Sequence, residues 1–318
     1  MTQFLVELVT MVKNPSKIGN KAKRAQVYAK FKSQKAAEKK KRKEQRLDRQ
    51  EEVEALGEEV QKEKPRTIEN TREKDETHID KKNIDDEIIG DEADDEFAEI
   101  FKNDKTPKIM ITTRPNCSRK LYAFIGDLMQ LIPNALYVPR GTALVKELVK
   151  DALEKGYTHL IVLGEKNKKC NGMLLCHLES GPTAYFKISS FQAGSTLKGH
   201  GKPTSHVPEV ILNNLTTRLG RRVGRIMSSI FPQNPQLEGR QVVTFHNQRD
   251  FIFVRHHRYI YRQEKEKLRA RLQELGPRFT MKLRWIQEGT FDSEFGEYEF
   301  YYKKGQMDAG FNRRKFLL

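Results

Sequence analysis

Four arginines stand at positions 218, 221, 222 and 225, inside the run from Thr217 to Phe231. At roughly 100° per residue, Arg218, Arg221, Arg222 and Arg225 gather within an arc of roughly 100°, and Leu219, Val223, Ile226, Met227, Ile230 and Phe231 fall opposite. The spacing predicts a helix with one face for a core and one face of guanidinium groups with no acid between them. A guanidinium is a planar fork matched to phosphate oxygens. A merely solvated helix face usually mixes charge signs, so the pattern favours phosphate contact over simple solvation. A second pattern runs at period two. Phe279, Met281, Leu283 and Trp285 alternate with Arg278, Thr280, Lys282 and Arg284, as a half-buried strand with a basic outer face would. Phe279 and Trp285 have rings able to stack on bases, but on the apolar face of that strand they read as core.

Other chemistries find no constellation. Gly194 to Lys202 resembles a phosphate loop at a glance, but His200 follows Gly199 where such a loop needs Lys. There is no G-x-S-x-G elbow. Asp127, Glu147 and Asp151 are scattered on helices, without a carboxylate pair, and no nucleophile has a base. Cys170, Cys176 and His177 are close in sequence, yet Cys176 and His177 should face opposite sides of a strand, as should His256 and His257. Buried thiols and hydrogen-bonded histidines are the simpler reading than zinc. The sequence therefore predicts no enzyme, no metal site and no cofactor.

The three cysteines, Cys117, Cys170 and Cys176, make no disulfide framework, and an odd count fits a reducing compartment. No apolar stretch approaches the roughly 18 residues of a membrane span. The run Phe4 to Val12 carries Glu7 and lacks the flanks of a secretory signal, and Met11 is an alternative start. The net charge of +16, from 59 Lys+Arg against 43 Asp+Glu, favours a polyanionic partner.

That charge is divided into zones. Residues 13–49 hold 15 Lys+Arg and 3 Asp+Glu, residues 51–106 hold 9 and 21, and residues 107–318 hold 35 and 18. The first two zones are poor in branched and aromatic residues and read as a tail. Lys17 to Arg49 is rich in helix formers, either a solvated charged helix or, favoured by its block charge, a basic arm that orders on RNA. The acidic stretch from Asp85 to Phe101 interleaves Ile88, Ile89, Phe97, Ile100 and Phe101. It suits a solubilising linker and a short docking segment for a partner protein equally well.

The elements that must hold the arginines begin at Pro107. Lys108 to Thr113 reads as a strand, and Leu121 to Ile132 as an amphipathic helix. Ala135 to Val138 is a short strand, and Leu144 to Leu153 a second helix, stopped at Gly156. Strands follow at Thr158 to Leu163, Met173 to Leu178 and Ala184 to Ile188, then a loop from Gly194 to Pro208. The pattern then restarts: Pro107 to Thr113 and Pro208 to Asn214 share one layout, each ahead of an amphipathic helix and another strand, which suggests a duplicated unit. Gln241 to His246, Phe251 to Tyr261 and Arg278 to Ile286 read as strands, and Glu264 to Leu275 as a helix. The expected fold class is α/β (α+β): two similar halves, each a mixed sheet with helices, behind a charged helical or disordered N-terminal arm. The expected boundaries are 1–106 for the extension (basic arm 13–49, acidic linker 51–106), 107–295 for the domain (halves 107–193 and 207–291) and 296–318 for a tail.

The run Leu272 to Leu283, with its Leu-Gly-Pro-Arg-Phe core, resembles the C-terminal signature of Brix-domain proteins. Ile111-Thr112-Thr113-Arg114-Pro115, followed by Ser118-Arg119, resembles their N-terminal signature. The runs Asn213 to Arg225, Val243 to Asp250 and Arg313 to Phe316 are similar to a branch of that family concerned with the large ribosomal subunit. The resemblance covers about residues 107–318. It implies two anticodon-binding-like halves in one domain, a nucleolar protein that binds pre-ribosomal RNA during large (60S) subunit maturation, and a dedicated protein partner. It carries over no catalytic residue. Because RNA-contacting positions vary across the family, the expected contacts rest on charge: Arg218, Arg221, Arg222, Arg225, Arg278, Lys282 and Arg284, with Arg114 and Arg119 of the N-terminal signature and the 13–49 arm. The other reading is a protein–protein adaptor whose RNA contact is incidental, docking through a sheet edge or the Asp85–Phe101 stretch.

Overall fold

The structure is a computed structural model that describes residues 18–55, 65–67, 70–74, 76–79, 86–264, 267–291, 296–307 and 315–318. Met11, the Phe4–Val12 run, and Arg313 and Arg314 lie outside the described residues. The chain divides into two compact units, Met1–Arg66 and Thr67–Leu318.

Among the described residues, the first unit holds one long helix, α1 (Lys21–Ala55). Asn20 caps it, its side-chain oxygen accepting from the amides of Ala22 at 3.0 Å and Lys23 at 3.2 Å. Its few rings stay in solvent, Tyr28 and Phe31 among them. Its stability comes from helix-forming composition and from i,i+4 pairs such as Arg42 with Glu38 and Lys40 with Glu44.

The second unit is built on one mixed sheet. In chain order its strands are β1 (Ile109–Thr113), β2 (Ala135–Tyr137), β3 (His159–Lys166), β4 (Lys169–His177), β5 (Thr183–Gln192), β6 (Glu209–Asn213), β7 (Gln241–Gln248), β8 (Phe251–Glu264), β9 (Lys267–Glu274), β10 (Arg278–Gln287) and β11 (Tyr298–Tyr301). They lie in the order β2-β1-β3-β4-β5-β10-β8-β7-β6, with β11 beside β10 and β9 beside β8. The helices are α2 (Asp86–Ala93), α3 (Ala98–Phe101), α4 (Arg119–Leu131), α5 (Val145–Glu154), α6 (Arg218–Ser228) and α7 (Lys304–Met307).

The duplication is visible in the connections. β1 leads through α4 to a parallel partner, β2, and β6 leads through α6 to a parallel partner, β7. The halves join where β5 pairs antiparallel with β10. Both α4 and α6 contribute to one core: Leu121, Phe124, Ile125 and Leu128 from α4 meet Val223, Ile226 and Met227 from α6, over Ile161, Phe186, Phe245, Val254, Phe279 and Met281 of the sheet. A smaller cluster on the opposite side of the first half packs Leu148, Val149 and Ala152 of α5 against Met110, Leu160 and Cys176. In the turn before β10, Gly276 has φ +76°, and a Cβ there would lie 2.4 Å from the Cα of Gly194. Only glycine lets those two backbone segments approach so closely.

Two segments differ from the simplest reading of their sequence. Residues 267–274 form a strand, not a helix, paired with β8 from His257↔Glu274 to Glu264↔Lys267. Leu268, Ala270 and Leu272 also alternate with Arg269, Arg271 and Gln273. That period-two signal carries the segment into the sheet despite helix-favouring composition. The acidic stretch, for which a linker and a docking segment are equal expectations, packs its Phe97 and Ile100 into this chain's own fold, 1% and 2% exposed.

Candidate nucleic-acid interface

The arginine helix forms as its spacing predicts. Thr217 caps α6, its hydroxyl accepting from Gly220 N at 2.9 Å. Val223, Ile226 and Met227 are buried below, and Arg221, Arg222 and Arg225 lie half-buried on the opposite face while Arg218 is exposed.

That guanidinium face is already answered by acids of the same chain. Arg221 grips Glu92 with two bonds of 2.6 and 2.7 Å. Arg222 donates to both oxygens of Glu96, at 2.8 and 2.9 Å, and to Glu299 at 2.8 and 3.2 Å. Arg225 forks onto Asp95 and reaches the Glu92 carbonyl at 2.7 Å. Rings sit beneath the forks, Phe101 at 4.3 Å from the Arg225 guanidinium carbon and Phe97 at 5.8 Å from that of Arg222. Phe97 is held in turn against the ring of His177. The hydrogen bonds from Arg221 and Arg222 hold the carboxyls of Glu92 and Glu96 below the usual carboxylate range. The segment just upstream also follows α6: Ile79 N donates to Thr216 O at 2.8 Å and Arg218 N to Thr77 O at 2.9 Å.

The basic side of β10 is different. Arg278 is paired with Glu274, whose carboxyl is lowered by that bond. Lys282 donates to Tyr302 Oη at 3.0 Å, with its ammonium 5.0 Å from the Phe251 ring and 4.5 Å from that of Tyr302. The Arg284 guanidinium carbon lies 4.9 Å from the same Tyr302 ring. Here the cations are met by aromatic faces.

Trp285 is not where the alternation puts it. Leu283 pairs with Phe186 and Trp285 with the next residue, Tyr185, so the register shifts around Arg284. This bulge turns Trp285 onto the side of Lys282 and Lys187, away from Leu283 and Phe186. There it stacks on Tyr185, with centroids 5.5 Å apart and planes 23° apart, and meets Tyr298 edge-on. Phe279 does enter the core. Arg114 and Arg119 are exposed at the carboxyl end of β1 and the start of α4. They sit in the first half, whereas α6 and β10 belong to the second. Ser118, between them, donates its amide to Glu165 at 2.7 Å.

The two buried histidines paired across β3 and β4 have hydrogen-bond partners within the fold. His159 bonds Thr158 and Ser229, and His177 bonds the Gly181 carbonyl. Among the described residues, no group of three or more His, Cys, Asp or Glu side chains is placed to hold a metal ion, and no helix is long and apolar enough to cross a membrane.

The family model of the Brix domain matches residues 114–285, more than half of the chain and spanning both halves of the sheet. The chain belongs to the Brix-domain family. Among Brix-domain relatives, ribosome production factor 1 of Saccharomyces cerevisiae is 42% identical over 309 residues, covering 96% of this chain and 99% of that one. The Pongo abelii protein of the same name is 48% identical over 310 residues, covering 95% and 84%, and that of Danio rerio 51% identical over 259 residues, covering 81% and 76%. The similarity to the first two therefore extends beyond the Brix domain into the charged N-terminal region.

The acids that meet α6 escaped the sequence reading, although Phe97 and Ile100, three residues apart beside Asp95 and Glu96, carried the trace of a docked helix. Tyr185, Lys187, Tyr301 and Tyr302 were missed because only the sheet pairing gathers them.

Proposed function

We propose that this chain is a non-catalytic assembly factor of the large (60S) ribosomal subunit, which binds pre-rRNA in the nucleolus and stabilises its fold during processing. The observation that carries this is the end-to-end similarity to ribosome production factor 1, which spans nearly the whole of the yeast protein. The excess of 35 Lys+Arg over 18 Asp+Glu in residues 107–318 supports an RNA partner. In this reading, Lys282 and Arg284 on the aromatic side of the sheet, Arg114, Arg119 and the basic helix α1 reach phosphates. Arg221, Arg222 and Arg225 do so only when the 92–96 acids are lifted away, while Arg218 and Arg278 contribute at the margins. Neutralising several phosphates makes affinity fall steeply with salt. Crosslinking the chain to RNA in growing cells and sequencing the adducts tests the reading. It requires discrete sites in the large-subunit precursor. Adducts spread evenly over all cellular RNA contradict it.

One feature favours a dedicated protein partner as well. The β8–β9 hairpin carries Ile260, Tyr261 and Leu272 exposed by half or more, and among the described strands β9 pairs only with β8, at an edge. An exposed apolar edge is a template for strand addition. Replacing Leu272 by Lys should release a co-purifying partner while RNA crosslinks persist. If the adaptor role were the whole function, those crosslinks would disappear along with the partner.

A further inference from the structure

On the side of the sheet away from the core shared by α4 and α6, Asn171, Tyr185, Lys187, Arg284, Trp285, Tyr301 and Tyr302 line a recess of about 320 Å³. Three features make it a built site rather than a chance hollow. The bulge at Arg284 delivers Trp285 to this side. Gly172 lies directly beneath Tyr185: a Cβ there would come within 2.4 Å of the Tyr185 hydroxyl oxygen and 2.9 Å of its ring carbons. The absence of a side chain at 172 lets the Tyr185 ring lie against the sheet and present its other side to Trp285. Tyr301 is held in register opposite Trp285, 54% exposed. The result is a cluster of rings, partly open to solvent, rimmed by the cations Lys187 and Arg284 and the amide of Asn171, and none of its described lining residues is acidic.

We infer that this recess takes an unpaired nucleobase of single-stranded RNA, stacked against the Trp285–Tyr185 pair, with the adjoining phosphates on Lys187 and Arg284 and the base edge facing Asn171. Aromatic platforms beside cations bind single strands with little sequence preference, because every base has a π-face and every nucleotide a phosphate. Charge complementarity selects RNA over a peptide: two cations and, among the described lining residues, no carboxylate rim the rings, and the chain carries +16. The inference rests on the reading of the chain as an RNA-binding factor and names the subsite.

Trp285 is the one tryptophan of the chain, so its emission reports this recess alone. The full-length chain would be titrated with a mixed-sequence single-stranded RNA decamer and with an abasic decamer of equal charge, following tryptophan emission and, in parallel, anisotropy of the end-labelled RNAs. The expected result is quenching by the base-bearing decamer and none by the abasic one. Trp285→Ala should weaken decamer binding about 5- to 150-fold. Tyr185→Leu and Arg284→Ala, checked by thermal melting, should weaken it too, and they keep the test valid if the tryptophan variant misfolds. Binding by anisotropy with unchanged emission, equal quenching by both decamers, or parent-like affinity of a folded Tyr185→Leu would overturn the recess as a base site and leave the RNA-binding reading standing. No binding of either decamer would remove that reading and the recess with it.

Discussion

Two basic surfaces, the α6 face and the outer side of β10, share a run of cations in the sequence and differ in what meets them, carboxylates throughout on α6 and mainly rings around Lys282 and Arg284 on β10. Arg221, Arg222 and Arg225 are met by Glu92, Asp95, Glu96 and Glu299 of the same chain, in two-pronged bonds with the charge largely satisfied. Arg284 is met by the ring of Tyr302, and Lys282 by the rings of Phe251 and Tyr302 with the Asp250 carboxylate close enough to feel its charge. A run of arginines says that a helix face seeks anions. It does not say whether the anion is a phosphate or a carboxylate 126 residues upstream.

The largest expected effect breaks the first surface. Phe97 anchors the acidic segment, buried against His177 and beneath Arg222. Phe97→Ala should cost about 3–5 kcal/mol in urea unfolding and open the stretch preceding it to limited proteolysis. An unchanged midpoint and cleavage pattern would mean that the acids hold the segment alone.

The seam under that anchor titrates. Burial lowers the basicity of His159 and His177, and brings His256 of the second half to about 4. Each is held neutral when folded and has an ordinary value of 6.5, so the unfolded chain binds more protons below that value. Stability should be full above pH 6.5, decline as pH falls, and level off for His256 near pH 4, a loss on the order of 3 kcal/mol from that residue. Denaturant melts across that range check it, and His256→Gln should flatten the decline.

A smaller effect separates the surfaces. Arg222→Ala strands Glu96 and Glu299 and should destabilise the fold by about 2 kcal/mol. Lys187→Ala, on an exposed side chain at the recess, should change stability by less than about 0.5 kcal/mol yet weaken RNA binding. Matched melts and RNA titrations of the two variants show whether structure and recognition have been divided between the faces.

Much of this architecture is legible in residue order. The alternation of apolar strands with amphipathic helices places β1, α4, α5, β7 and α6 within a few residues, and the echo of Pro107–Thr113 in Pro208–Asn214 gives the duplicated strand–helix–strand connection. Segments whose state is decided by distant neighbours are not legible. β9 is a strand because β8 offers an unpaired edge, against the helix-forming composition of its own residues. Trp285 faces outward because one bulge breaks the alternation that assigned it to the core. The 86–101 stretch suits a linker and a docking segment equally until α6 supplies three arginines for its acids and the sheet a seat for Phe97. Charge and periodicity are local, but pairing across the fold is not.

The most direct test is the salt dependence of RNA affinity for three full-length proteins: the parent chain, Lys187→Ala/Arg284→Ala, and Arg221→Gln/Arg225→Gln. If the aromatic side of the sheet is the phosphate-binding surface and α6 is held by its own acids, the first pair should reduce the slope of log affinity against log salt by about 1 to 1.5, from roughly 0.7 per lost phosphate contact on a single strand. The second pair should leave the slope at the parent value. A slope lost with Arg221 and Arg225 but retained without Lys187 and Arg284 would contradict that division and return the RNA surface to the arginine helix.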